Sequence, residues 1–162
     1  MAKVDFDRLL QECKEEIKDI VPFRETSPRV LLLNKRNKRT LGRCHRNLGS
    51  TYFTIYLNPK MYDMSEKLIK ETLIHELIHT AERCFDHKYM FQAYANKVSR
   101  ILGYNIETKC TSDEWQQAKT YKYKLTCVKC GEVYYRNRIT KAYRNLYACG
   151  KCRGNLIIEE LY

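Results

Sequence analysis

The stretch His75-Glu76-Leu77-Ile78-His79 restricts this chain more than any other. It lies in an apolar run, residues 68–78, that reads as a helix. Side chains four residues apart share one helix face, so His75 and His79 point the same way and can hold one metal ion. Two imidazoles suit zinc, and Glu76 beside them is placed to take a proton from a zinc-bound water as general base. Such a centre takes a third protein ligand and keeps its fourth position open for chemistry. His87, eight residues after His79, is the expected third ligand.

An H-E-x-x-H string also arises by chance, and buried helical histidines commonly serve as hydrogen-bonded core groups. Three features weigh against that simpler explanation. The chain has only four histidines, and three fall between positions 75 and 87. The helix around the motif is apolar, so burying an unemployed Glu76 costs roughly several kcal/mol. A second metal motif also follows downstream.

A chain of 162 residues, 44% of them apolar, is long enough for one domain with a core of its own, alone or with a small appendage. No apolar run reaches the roughly 18 residues of a membrane-spanning helix, so no membrane association is expected. The opening Met1-Ala2-Lys3-Val4-Asp5 has no apolar signal region, which points to a cytoplasmic protein, nucleoid-associated if bacterial. Eight cysteines in that setting read as thiols and metal ligands rather than disulfides. The net charge of +11 favours a polyanionic partner.

Residues 5–20 read as an amphipathic helix, with Phe6, Leu9, Leu10, Cys13, Ile17 and Ile20 on one stripe, Asp5 as cap and Pro22 as stop. Three strands are expected next, at 29–33, 40–44 and 51–58, forming a small antiparallel sheet. The connection between the first two, with Lys35, Arg36, Lys38 and Arg39, reads as a hairpin tip and a candidate phosphate contact. Asp63 with Glu66 reads as a capping box opening the metal-binding helix. That helix must end near residues 83–85. If it ran on unbroken, His87 would lie about 12 Å beyond His79 along the axis. Asp86 is expected to cap a further helix carrying Met90, Phe91, Tyr94, Ala95, Val98, Ile101 and Leu102, stopped by Gly103. His87 then falls in its first turn. Trp115, the one tryptophan, reads as core. Cys13 reads as a buried inert thiol, and Cys44, Cys84 and Cys110 have no assigned role.

Residues 119–162 read as a separate unit, leaving 1–118 as the main domain. Cys127-Val128-Lys129-Cys130 and Cys149-Gly150-Lys151-Cys152 are two C-x-x-C knuckles with zinc-ribbon spacing. Four thiolates leave no open position, so this zinc is structural and the His-bound one catalytic. Strands are expected at 123–126, 133–136, 145–148 and 156–158. Residues 119–153 hold ten Lys/Arg against one acid, Glu132, and six tyrosines lie between Tyr121 and Tyr147. Cations follow phosphates and aromatic faces stack on unpaired bases, so a nucleic acid is the expected partner, DNA in single-stranded form being one candidate.

Together these residues resemble the SprT-like family, which includes the Spartan protease domain. The resemblance is carried by Glu71-Thr72-Leu73-Ile74-His75-Glu76-Leu77-Ile78-His79, by His87-x-x-x-Phe91, by Leu41-Gly42-Arg43-Cys44 and Ile55-Tyr56-Leu57-Asn58-Pro59, and by the tyrosine-rich basic ribbon. Where the family usually has glycine after the third histidine, this chain has Lys88. The resemblance implies an α+β, zincin-like metallopeptidase core followed by a small β zinc ribbon. It implies zinc-dependent cleavage of protein substrates that are DNA-associated or crosslinked to DNA. The competing expectation is a nucleic-acid-binding zinc-ribbon protein whose protease site is weak or vestigial. Spacing singles out no oxyanion-stabilising residue.

Overall fold

The computed structural model describes residues 4–37, 39–109, 112, 115, 121–140 and 147–160. The chain divides into two compact units, residues 1–118 and 119–162. Among the described residues there are three α-helices and two three-stranded sheets, a mixed α and β fold.

In the first unit, helix α1 (Phe6–Ile17) starts where Asp5 accepts a hydrogen bond from the Arg8 N–H at 3.0 Å. Phe6, Leu9, Leu10, Cys13 and Ile17 are buried along one stripe, and burial pushes the Cys13 thiol up to about 12. Lys70, on the helix that also carries His75 and His79, reaches across to Glu12 at 2.9 Å and Glu16 at 2.8 Å, and the Tyr104 hydroxyl donates to Glu16 at 2.7 Å.

Strands β1 (Leu31–Leu32), β2 (Gly42–Arg46) and β3 (Phe53–Leu57) form a sheet in the order β1-β3-β2. The antiparallel sheet expected from the sequence is corrected here: β2 runs antiparallel to β3, but β1 runs parallel to it. The chain does not turn back in a hairpin after β1. Residues 33–37 and 39–41 belong to a crossover past the end of β3, which sits between the two earlier strands. The Asn58 side-chain amide secures this crossover by donating to the carbonyls of Asn37 at 2.8 Å and Thr40 at 2.9 Å. Lys35, Arg36 and Arg39 thus lie on a crossover loop, and Lys38 lies outside the described residues.

After β3, Pro59–Asp63 form a 3-10 turn capped by Asn58. That turn already uses Asp63, so the next helix starts later than the sequence suggests. Its cap is Ser65, which accepts from the Leu68 N–H at 3.3 Å. Helix α2 (Glu66–Thr80) buries Leu68, Ile69, Leu73, Ile74, Leu77 and Ile78, so apolar side chains occupy several of its faces. It packs against α1, β2, β3 and helix α3 (Tyr89–Leu102). Helix α3 turns Phe91, Ala95 and Val98 inward and ends at Gly103, whose φ of 74° gives a left-handed stop. Trp115 is buried in the same core, as expected.

In the second unit, β4 (Tyr123–Cys127) lies between β5 (Val133–Arg136) and β6 (Leu156–Glu160), both antiparallel to it. Of the expected strand at 145–148, residues 145 and 146 lie outside the described residues, and Ala148 forms a single bridge with Asn155. No described helix is long and apolar enough to cross a membrane.

Candidate active site and metal centres

Helix α2 carries His75 and His79 one turn apart, half-buried on the same face. The helix stops at Thr80, earlier than the expected 83–85, because Ala81 takes an extended conformation. Arg83 then adopts a left-handed φ of 61°, which turns the chain back. The Cys84 carbonyl lies 2.7 Å from His79 Nδ1. A carbonyl only accepts, so Nδ1 carries the proton and Nε2 is left with its lone pair.

This return brings His87 to the other two histidines. The Nε2 atoms are 3.1 Å apart for His75 and His79, 3.0 Å for His79 and His87, and 3.0 Å for His75 and His87. A tetrahedral zinc with bonds of 2.0–2.1 Å separates its nitrogen ligands by about 3.3 Å, so the triangle has the size of a zinc face. Three lone pairs this close repel unless a cation lies between them. Burial first, then the neighbouring imidazoles, drive the His75 pKa down to about 3, and burial lowers that of His79. Both rings are therefore neutral, the form that binds metal. Phe91 backs the triad, with ring centroids 4.8, 4.6 and 4.8 Å from His75, His79 and His87. His87 precedes α3 rather than lying in its first turn. Lys88 is the residue at the helix start, with φ −86° and ψ −162°. That is ordinary extended backbone, so nothing here demands glycine.

Glu76 is 6% exposed, and its carboxyl is pushed up to about 8, chiefly by burial. The backbone of Cys44 in β2 hydrogen-bonds to it, and Arg43 adds an opposing positive field. Gly42 lies on the same stretch of β2, against Glu76 and Thr72. The sequence signal for that approach was the glycine itself, since a glycine inside a strand marks close approach.

The four cysteines form the second cluster, with sulfur atoms all within 4.8 Å of one another. Cys127 and Cys152 are 3.4 Å apart, and Cys130 and Cys149 are 3.6 Å apart. A zinc with 2.3 Å bonds to sulfur spaces its ligands by about 3.8 Å. The Lys129 N–H points at Cys127 Sγ from 3.4 Å, and the Tyr134 hydroxyl lies 3.3 Å from Cys149 Sγ. Four sulfurs converge with no acid or base among them, a donor set for structural metal. Tyr134 carried no sequence signal for this role.

The model of the SprT-like family matches residues 6–111, from α1 through the three histidines to the segment after α3. The chain belongs to the SprT-like family. A protein of Enterococcus faecalis named "Protein SprT-like" is 30% identical over 152 residues, 93% of each chain. One from Oceanobacillus iheyensis is 31% identical over 120 residues, 68% of this chain and 75% of its own. A third, from Lactococcus lactis, is 27% identical over 154 residues, covering 92% and 95%. With alignments of 152 and 154 residues, the likeness to these SprT-like proteins extends beyond the first unit into the cysteine-bearing one.

Proposed function

We propose that this SprT-like protein is a zinc-dependent endopeptidase, zincin-like in its core, that acts on DNA-associated or DNA-crosslinked proteins. The reading rests on one observation: the three Nε2 atoms converge at 3.0–3.1 Å with the Glu76 carboxyl buried beside them. His75, His79 and His87 hold the catalytic zinc, and Cys127, Cys130, Cys149 and Cys152 hold a structural one. A zinc ion at the histidines supplies a Lewis acid and an acidified water. Glu76 accepts the proton from the attacking water and returns it to the leaving amine. Phe91 keeps water from the inner side of the triad.

The DNA part of the proposal is supported by exposed cations and aromatics. In the ribbon, the Tyr121 and Tyr135 rings lie 5.2 Å apart, tilted by 30°, and Tyr135 is 44% exposed. Lys35, Arg36 and Arg39 sit on the crossover loop, with Lys38 beside them in sequence. The same features favour the rival reading of a nucleic-acid-binding module with a weak protease site.

The deciding experiment is cleavage of a disordered basic protein by wild type and Glu76→Gln, with and without single-stranded DNA. The variant is expected to retain two zinc ions per chain and lose cleavage. Undiminished proteolysis by Glu76→Gln rejects the mechanism. Tight DNA binding by a wild type that never cleaves selects the rival.

A further inference from the structure

We propose that Gly42 is a positioning residue for Glu76: the missing side chain at this point of β2 sets where the general-base carboxylate stands. The claim rests on the reading of Glu76 as the proton acceptor. A Cβ at position 42 would lie 3.0 Å from Glu76 Cγ, 3.0 Å from Glu76 Oε1 and 3.0 Å from Thr72 Cγ2. Gly42 is not among the glycines with positive φ, so the requirement is for space and not for conformational freedom. Two residues on, the Cys44 backbone hydrogen-bonds to the Glu76 carboxyl. β2 is an edge strand, so one row of its N–H groups is free of the ladder, and Glu76 takes one of them. The carboxylate is thus held at two points of one strand, by contact at 42 and by a hydrogen bond at 44. At 6% exposure it has no open solvent into which to retreat. Any side chain at 42 must displace Glu76, Thr72 or both.

Two variants of the full chain separate these outcomes. Gly42→Ala is expected to lower kcat by about tenfold or more, the scale of loss for a misplaced catalytic group, with KM and zinc content unchanged. The Cys44 amide, read by hydrogen exchange, is expected to lose protection, since its acceptor has moved. Gly42→Ala/Thr72→Ser removes the Thr72 methyl while leaving the Glu76 conflict, and also relieves the packing if the single variant folds poorly. It is expected to stay as slow as Gly42→Ala. Recovery of kcat in the double variant means that Gly42 only makes room for Thr72, and the proposal fails. It fails equally if Gly42→Ala keeps wild-type kcat and Cys44 protection, or if it changes KM alone. A wild type that cleaves no protein refutes the proposed function, and the Cys44 amide still decides whether Gly42 places the carboxylate.

Discussion

The Tyr134 hydroxyl stands 3.3 Å from the sulfur of Cys149. This hydrogen bond is the first cause holding the Cys149 thiol down at about 6. Partners of this kind set how firmly a ligand keeps its metal, and losing one costs about 10–100-fold in affinity. Tyr134→Phe keeps the ring and deletes only the hydroxyl. Its ribbon zinc is expected to pass to a competing chelator about tenfold faster than in wild type, and an unchanged transfer rate refutes the role.

Metal stoichiometry separates the two centres. Wild type is expected to carry two zinc ions per chain. His87→Ala is expected to carry one, with its circular dichroism unchanged, because the apolar core of the first unit does not depend on that ion. Cys127→Ser is expected to lose the other ion and the β4–β6 sheet with it, since so small a unit draws much of its folding energy from metal. Elemental analysis of both variants checks this, and retention of both ions in either one contradicts the assignment.

DNA affinity is expected to depend unequally on the ribbon cations. Lys122 and Lys124 are not free charges: they lie 3.4 Å from Glu160 and 3.8 Å from Glu159, both on β6. A phosphate that recruits them must displace a carboxylate. Arg136 and Arg138 have no ion-pair partner among the described residues. Arg136→Gln/Arg138→Gln is therefore expected to weaken single-stranded DNA binding more than Lys122→Gln/Lys124→Gln. It is also expected to reduce the salt slope by about 0.7 for each phosphate that the variant no longer neutralises. Titrations at several salt concentrations measure both quantities. The reverse ranking places the DNA-binding surface elsewhere, with the crossover loop of the first unit as the next region to test.

Stability at low pH is expected to involve Lys70. Its ammonium, through a side-chain hydrogen bond, is the main reason the Glu12 carboxyl sits below its ordinary value of 4.5. A carboxylate with a depressed folded-state pKa contributes stability above its ordinary pKa and loses that contribution as pH falls through the depressed value. Lys70 itself is raised, by hydrogen bonds to Glu16 and Glu12 that outweigh its burial, so its share holds at neutral pH and fades only in strong base. Lys70→Met is expected to melt lower than wild type at neutral pH, with a flatter fall in Tm from about pH 5 to 3. Parallel Tm curves for the two proteins refute the coupling.

Helix α1 was legible because all five of its buried residues recur at helical steps within twelve residues. The histidine triad was legible for the same local reason, together with the chain length needed to bring His87 back. The parallel pairing of Leu31 with Tyr56 was not, because which strand becomes a neighbour depends on a crossover rather than on any local pattern. The start of α2 shifted to Ser65 because a 3-10 turn took up Asp63 first. The approaches of Gly42 to Glu76 and of Tyr134 to Cys149 join separate elements. A sequence can mark such a glycine as unusual without naming what it faces.

The three histidines differ in exposure: His75 and His79 are half-buried on α2, while His87 is exposed on the segment that leads into α3. An ion bound by all three would be fixed on two sides by a helix packed among α1, β2, β3 and α3, and on the third side by a loop at the surface. Occupancy is then gated from one direction. Departure is expected to need only the exposed residues 85–88 to swing aside, with Ala81 and Cys84 staying in the core, a local opening that leaves the rest of the fold closed. Zinc exchange is expected to keep pace with amide exchange in 85–88 and to run far faster than amide exchange in α2. Equal rates in the two segments would mean that the metal leaves only when the whole unit opens.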